Sequence, residues 1–166
     1  MSRHTAQRHY HRAQSVETGD PCSPCVELFV QLMRICDSLR QDLSALVARY
    51  GLSLPAFYAL SEVERSLDQG CPMHHLGGML TVSRANVTGL TDSLEQKGLV
   101  RRTVDTADRR VKLISLTSAG RQILKEAGPG YDKRLCTLLA GLNDSDKKLL
   151  TQMLVKLGQT IERAKS

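Results

Sequence analysis

Two short helical segments separated by three residues constrain the fold of this chain more than any other feature. The pattern predicts helices over 73–80 and 84–97, joined by Thr81-Val82-Ser83, which is the spacing of a helix-turn-helix. Ser83 can cap the free N–H groups at the start of the second helix, and Gly98 can take the left-handed conformation that ends it. The local chemistry therefore marks both ends of the second helix.

A predicted β-hairpin with a cationic loop follows directly. Residues 99–104 and 111–116 are rich in β-branched and apolar types, as strands are, and a polar stretch joins them. Five basic residues lie within twelve positions, namely Arg101, Arg102, Arg109, Arg110 and Lys112. If the loop is extended, alternation places Asp108 and Arg110 on one face, so that the carboxylate can hold the guanidinium by paired hydrogen bonds. An arginine oriented in this way suits the DNA minor groove; the alternative is a solvated turn with a weak surface ion pair.

The outward face of the second predicted helix also suits DNA. Its fourteen residues correspond to about 21 Å, enough to lie in a major groove. Val87, Leu90 and Leu94 form the inward side. The outward residues near the start include Arg84, Asn86 and Thr88, whose groups can bond base edges, arginine to guanine and asparagine to adenine. A face that is merely solvated would look similar.

Helical segments flank this central part. Apolar residues recur every three or four positions from Leu28 to Tyr50 and from Leu149 to Ile161, as amphipathic helices require. Between them, Gly128-Pro129-Gly130 predicts a kink or a break. We expect a mainly α fold with a small β-hairpin. Its predicted parts are a disordered basic arm (1–22), an N-terminal helix (23–52), a winged helix-turn-helix lobe (53–117) and C-terminal helices (118–166).

Composition narrows the possible functions. Twenty-three Lys and Arg against seventeen Asp and Glu give a formal charge of +6, which favours a polyanionic partner. Aromatic residues make up only 4%, with no Trp, which disfavours RNA recognition by stacking. No phosphate-cradling loop or nucleophile elbow occurs, so neither an enzyme nor a bound cofactor is predicted. No run of eighteen apolar residues occurs either, so we expect a soluble cytoplasmic protein without membrane contact.

From Leu76 to Gly120 the chain resembles the multiple-antibiotic-resistance regulator (MarR) family of winged-helix transcription factors. The resemblance rests on residues 82–90 (VSRANVTGL), residues 94–102 (LEQKGLVRR) and Asp108-Arg109-Arg110. It implies a homodimer, and a repressor, whose N- and C-terminal helices interlock. Two recognition helices would enter successive major grooves of a pseudo-palindromic double-stranded operator, and two wings the flanking minor grooves.

The same resemblance assigns residues to DNA contact. It implies contacts from Ser83, Arg84, Asn86 and Thr88 on the helix, and from Arg110, oriented by Asp108, at the wing tip. Arg109 would touch phosphate, and we place Arg101 on the same predicted surface. Members of the family commonly respond to a small aromatic ligand, held in a crevice between the dimer frame and the DNA-binding lobe, or to oxidation of a cysteine.

The cysteines leave the switch open. Cys25 lies in the first turn after Ser23-Pro24, where the helix dipole favours a reactive thiolate. Cys22 could resolve a sulfenic acid there, and Cys136 could approach from a partner subunit. The alternative is that Cys36, Cys71 and Cys136 are small buried residues and that the CxxC is inert.

A rival function, in which the CxxC acts in thiol redox or metal binding and the winged helix contacts proteins, also remains open. A single CxxC, even with His4, His9 and His11 nearby, is a weak zinc signal, and we expect no metal.

Overall fold

The computed structural model describes residues 23–66, 70–79, 84–105 and 108–165. The elements are α1 (Ser23–Ala48), α2 (Leu54–Arg65), β1 (Cys71–Pro72), α3 (Met73–Met79), α4 (Arg84–Gln96), β2 (Val100–Val104), β3 (Lys112–Leu116), α5 (Ser118–Leu138) and α6 (Asp144–Arg163). This order confirms the predicted fold class, a winged helix-turn-helix within a helical frame. The predicted basic arm lies outside the described residues.

Three helices are each preceded by a residue whose side chain caps the first turn. Ser53 accepts a hydrogen bond of 3.3 Å from a first-turn N–H of α2, and Thr117 accepts one of 3.1 Å from α5. At α6, Asn143 and Asp146 each accept a hydrogen bond from the other's backbone N–H, a reciprocal capping box. These bonds satisfy N–H groups that helix geometry leaves unpaired.

The sheet has one strand more than predicted. β1 pairs with β3, which pairs in turn with β2, so that the hairpin is part of a three-stranded antiparallel sheet in the order β1-β3-β2. Cys71 of β1 and Arg102 of β2 both lie opposite Ile114 of β3. Because β1 has only two residues, one of them a proline without an N–H donor, it leaves no alternating pattern in the sequence.

One core supports the sheet and fixes the orientation of α4. Its largest fully buried side chains include Val47, Leu60, Leu76 and Ile114, contributed by α1, α2, α3 and β3. On α4, Val87 and Leu94 are each only 2% exposed and Leu90 packs against the core, as predicted. Burial of one such side chain stabilises the fold by roughly 1.5–3 kcal/mol, so the polar face of α4 is held outward.

The first turn of α5 is fixed against the start of the hairpin. The Thr117 hydroxyl donates to the carbonyl oxygen of Gly98 at 2.7 Å, and Gly98 takes the predicted left-handed conformation (φ 69°). A Cβ atom at Gly120 would lie 2.1 Å from the Leu99 carbonyl oxygen, so only glycine allows this approach. The frame and the winged lobe therefore share a rigid junction.

The sequence predicts a kink or a break at Gly128-Pro129-Gly130; α5 continues through these residues, so the break is wrong. A proline removes one backbone hydrogen bond and clashes with the carbonyl one turn earlier. Packing on both sides of this point compensates: Ala127 is fully buried, and Tyr131 and Leu135 pack against the core. Tertiary contacts thus overrule the local preference.

The apolar stripe of α6 is uncovered in the single chain. Leu149, Leu150, Met153, Leu154 and Ile161 are 42–57% exposed. Within the described part of the chain, α6 contributes no buried residue at all. The N-terminal half of α1 likewise exposes Val26, Leu28, Phe29, Met33 and Ile35. Such helices are stable in water only when these faces are covered.

Candidate nucleic-acid interface

The outward face of α4, the recognition helix, carries the predicted polar groups. Asn86 and Thr88 are exposed, on either side of the buried Val87. The hydroxyl of the buried Thr91 bonds the carbonyl oxygens of Val87 and Thr88, both at 2.9 Å. The predicted orientation of the helix is confirmed: it presents polar side chains outward and its apolar side inward.

The structure does not describe the side chains of two further residues that were predicted to contact DNA, Ser83 and Arg84. Arg84 is the first residue of the helix, but its side chain lies outside the described residues, and so does the whole of Ser83.

The wing, comprising β2, β3 and the loop between them, is shaped by aspartates. The Asp105 carboxylate accepts a 3.1 Å hydrogen bond from the N–H of Asp108. The Asp108 carboxylate in turn accepts one of 2.9 Å from the backbone N–H of Arg110. Among the described ion pairs, Asp108 does not hold the Arg110 guanidinium, so the predicted paired bond is wrong. Asp108 leads into a turn at 109–110 rather than an extended strand, and in a turn a short carboxylate reaches the amide two positions on.

The recognition helix and the loop of the wing line the same cavity. Its volume is about 350 Å³, and its lining includes Met73, His74, Val87, Thr88, Arg110 and Lys112. Arg110 is exposed, as are Arg101 and Arg109. The structure thus brings Thr88 and Arg110, two residues predicted separately from the helix and the loop, to one surface.

Arg102 points toward the helix and not outward with the other cations of the wing. Its side chain is 20% exposed and its guanidinium lies 2.5 Å from both the Asp92 carboxylate and the Thr91 hydroxyl. Its backbone N–H donates to Glu95 at 3.1 Å. These contacts tie β2 to the recognition helix. Strand alternation agrees with this inward orientation, because neighbouring residues such as Arg101 and Arg102 must face opposite sides of a strand.

The cysteines are not all small buried residues. Cys71 is buried, and burial raises the pKa of its thiol. Cys25, Cys36 and Cys136 are free and exposed, so the predicted burial of Cys36 and Cys136 is wrong in the single chain. Cys22 lies outside the described residues.

The described residues contain neither a cluster that could hold a metal ion nor a helix that could cross a membrane. Among residues 23–66, 70–79, 84–105 and 108–165, no group of three potential ligands is close enough to hold a metal ion. His74 and His75 stack edge to face with ring centroids 4.4 Å apart, whereas His4, His9 and His11 lie outside this part of the chain. None of the described helices has the length and apolar character needed to cross a membrane.

A larger cleft, of about 610 Å³, lies between α2 and α5, and we call it the frame cleft. Three aromatic rings line it. The ring centroids of Phe57 and Tyr131 are 4.7 Å apart, and the Tyr58 ring stands perpendicular to that of Tyr131 at 6.2 Å. The two tyrosine hydroxyls are hydrogen-bonded at 3.1 Å. Burial, with the bond to Tyr58, raises the pKa of Tyr131, so that this phenol is neutral. The resemblance implied a crevice between frame and lobe, but sequence reasoning did not identify its lining, because the two walls are far apart in the chain.

Known proteins resemble the chain in sequence and in structure. The family model described as MarR family matches residues 52–112. YwaE of Bacillus subtilis, an uncharacterized HTH-type transcriptional regulator, is 30% identical over 139 residues, covering 82% of this chain and 79% of that protein. The transcriptional repressor YetL of the same organism is 29% identical over 138 residues, covering 83% and 81%.

A solved structure of similarly low sequence identity has the same fold. The crystal structure of CouR from Rhodococcus jostii RHA1, bound to p-coumaroyl-CoA, superposes with a TM-score of 0.69 at 25% identity, covering 78% of this chain and 88% of CouR. Proteins of this kind regulate transcription and are not enzymes. With the helix-turn-helix, the wing and the helical frame all in place, these matches show that the chain belongs to the MarR family of transcription regulators.

Proposed function

We propose that the protein is a homodimeric repressor that binds a pseudo-palindromic operator and releases it when a small ligand or an oxidant acts on it. The observation that carries the proposal is the cavity shared by Thr88 of the recognition helix and Arg110 of the wing. In a MarR-family regulator, one continuous surface can place the helix in a major groove while the wing reaches the adjacent minor groove.

The proposal assigns roles residue by residue. Ser83, Arg84, Asn86 and Thr88 contact DNA from the helix; Arg101, Arg109 and Arg110 contact it from the wing. Asp108 acts by shaping the turn that presents Arg110, since its carboxylate holds the Arg110 backbone N–H. Base-edge contacts give specificity, whereas the cations displace counterions from phosphate and supply most of the affinity for any sequence.

Dimerisation is supported by the uncovered apolar faces. The apolar residues of the α6 stripe recur at the spacing of the buried face of a packed helix, and the exposed half of α1 offers a comparable surface. We propose that 23–52 and 118–166 form the dimer frame and that 53–117 forms the DNA-binding lobe. Two lobes on a twofold axis would reach half-sites one helical turn apart.

Footprinting tests this function directly. We expect the full-length protein to protect a pseudo-palindromic segment in the DNA upstream of its own coding sequence, with two half-sites centred about ten base pairs apart. The dissociation constant should rise steeply with salt, because several phosphates are neutralised. A chain that binds no duplex, or that binds without salt dependence, would contradict the proposal and favour the thiol or metal-binding alternative.

Cys25 provides the test of oxidative release. Cys25 is exposed on the first turn of α1, so peroxide can oxidise its thiolate to a sulfenic acid. We expect peroxide to release wild-type protein from the operator and to leave the Cys25→Ser variant bound, measured by fluorescence anisotropy of labelled duplex. Cys36→Ser, an exposed cysteine of the same helix, is the matched control and should still be released. Release of both variants would exclude Cys25 as the sensor.

A further inference from the structure

The frame cleft carries a charge opposite to that of the whole chain. Three carboxylates line it, those of Glu62, Glu64 and Asp132, against one guanidinium, that of Arg65. Its formal charge is therefore −2, whereas the chain has +6. Arg65 lies 3.5 Å from Glu62 and its side chain is 75% exposed, so this cation is partly neutralised and well solvated. Little positive charge remains to hold an anion.

The remainder of the lining is aromatic and apolar. The rings of Phe57, Tyr58 and Tyr131 meet there, with Leu124 and Leu135 beside them. A neutral aromatic ring attracts a cation placed over its face within about 6 Å. A volume of about 610 Å³ is within the range of pockets that hold drug-sized molecules, roughly 300–1,000 Å³.

We propose that the frame cleft binds flat, positively charged organic molecules in preference to anions. The rings stack on the flat part of such a molecule, while the carboxylates stabilise its positive charge and repel a carboxylate of the same shape. This assignment rests on the proposed function, because a ligand bound beside α5 can regulate operator binding only if the protein binds DNA. It specifies the chemical class of ligand that the general proposal leaves open.

A pair of three-ring dyes tests the preference on the full-length protein without DNA. 10-Methylacridinium carries a fixed positive charge, and anthracene-9-carboxylate has the same outline with a negative charge. We expect the cation to bind at least about tenfold more tightly than the anion at equal ionic strength, measured from the fluorescence of each dye. Equal or tighter binding of the anion, or no binding of the cation, would overturn the proposal.

Neutral variants locate the binding site. The variant Glu62→Gln/Glu64→Gln/Asp132→Asn should remove the tenfold preference while keeping the shape of the cleft. Glu126→Gln changes charge on the same helix as Asp132 but outside the lining, and should keep the preference. Far-UV circular dichroism shows whether each variant is folded. If the triple variant is folded and still prefers the cation, the cleft is not the site.

Substitutions at a ring test the aromatic contribution. Tyr58 is partly exposed, so a change there should not disturb the core. Tyr58→Leu should weaken binding of the cation several-fold, and Tyr58→Phe, which retains the ring, should not. Equal loss in both variants would contradict stacking on this ring. Binding of the operator by the same wild-type preparation, without dye, reports on the proposed function alone, so either assignment can fail without the other.

Discussion

Replacing Met153 by Asp is expected to convert the protein to a monomer and to lower its operator affinity by at least about a hundredfold. Met153 lies in the apolar stripe of α6 and is exposed in the single chain, so its loss leaves the winged lobe intact. In a dimer interface, however, the new carboxylate would be buried without a partner. Two linked lobes bind their operator more tightly than a single lobe by a factor of about 10²–10⁴. A monomer loses that gain in affinity.

Gln152→Asp is the matched control, since it introduces the same side chain at the adjacent position, outside the stripe. Light scattering should give 18.4 kDa for Met153→Asp and twice that mass for both wild type and Gln152→Asp. Operator affinity is then compared by anisotropy. A Met153→Asp protein that remains dimeric would show that α6 does not form the interface; one that is monomeric yet binds the operator normally would remove dimerisation from the mechanism.

Arg110→Ala is the second substitution with a large expected effect. Arg110 is exposed in the loop of the wing and lines the cavity shared with the recognition helix. Loss of an arginine that contacts bases costs about 1–3 kcal/mol per subunit, that is, roughly five- to 150-fold in affinity. We expect the operator to be bound more weakly by this factor in each half-site, while unspecific duplex is affected much less. The ratio of the two affinities, measured at one salt concentration, is the readout.

Two comparisons separate charge from position. Arg109→Ala removes the same charge at the neighbouring residue, and should weaken binding to all sequences alike if Arg109 contacts phosphate. Asp108→Ala increases the positive charge yet should weaken operator binding, because the turn that presents Arg110 loses the acceptor for its backbone N–H. Asp108→Asn retains an acceptor oxygen and should behave more like wild type. If Asp108→Ala binds more tightly, net charge and not the turn governs the wing.

Local chemistry accounts for the parts of the fold that the sequence predicted correctly. Caps such as Ser53, Thr117 and Asn143 act on the next three residues of the chain, and a glycine such as Gly98 ends a helix by its own conformation. Periodicity placed Val87 and Leu94 inward because a helix repeats regularly. The recognition helix and the cationic wing could be predicted for this reason.

The features that the sequence analysis missed, together with the break that it allowed in α5, depend on contacts between distant segments. β1 is too short to show a pattern, and exists because Ile114 pairs with Cys71. α5 continues through Pro129 because packing on either side compensates for one lost hydrogen bond. The inward turn of Arg102 depends on acidic side chains of α4 seven and ten residues earlier, and the frame cleft depends on Tyr58 and Tyr131 meeting across 73 positions.

The sequence by itself determined which segments are helical, how most of the helices begin, and that a helix-turn-helix with a cationic loop lies at the centre of the chain. Those properties follow from interactions within a few residues. Only the tertiary structure decided that Thr88 and Arg110 share a surface, that Arg102 faces inward, and that carboxylates and aromatic rings line one cleft. Each of these depends on how separate elements pack, and packing is set by the shape of the whole core, which no local pattern specifies.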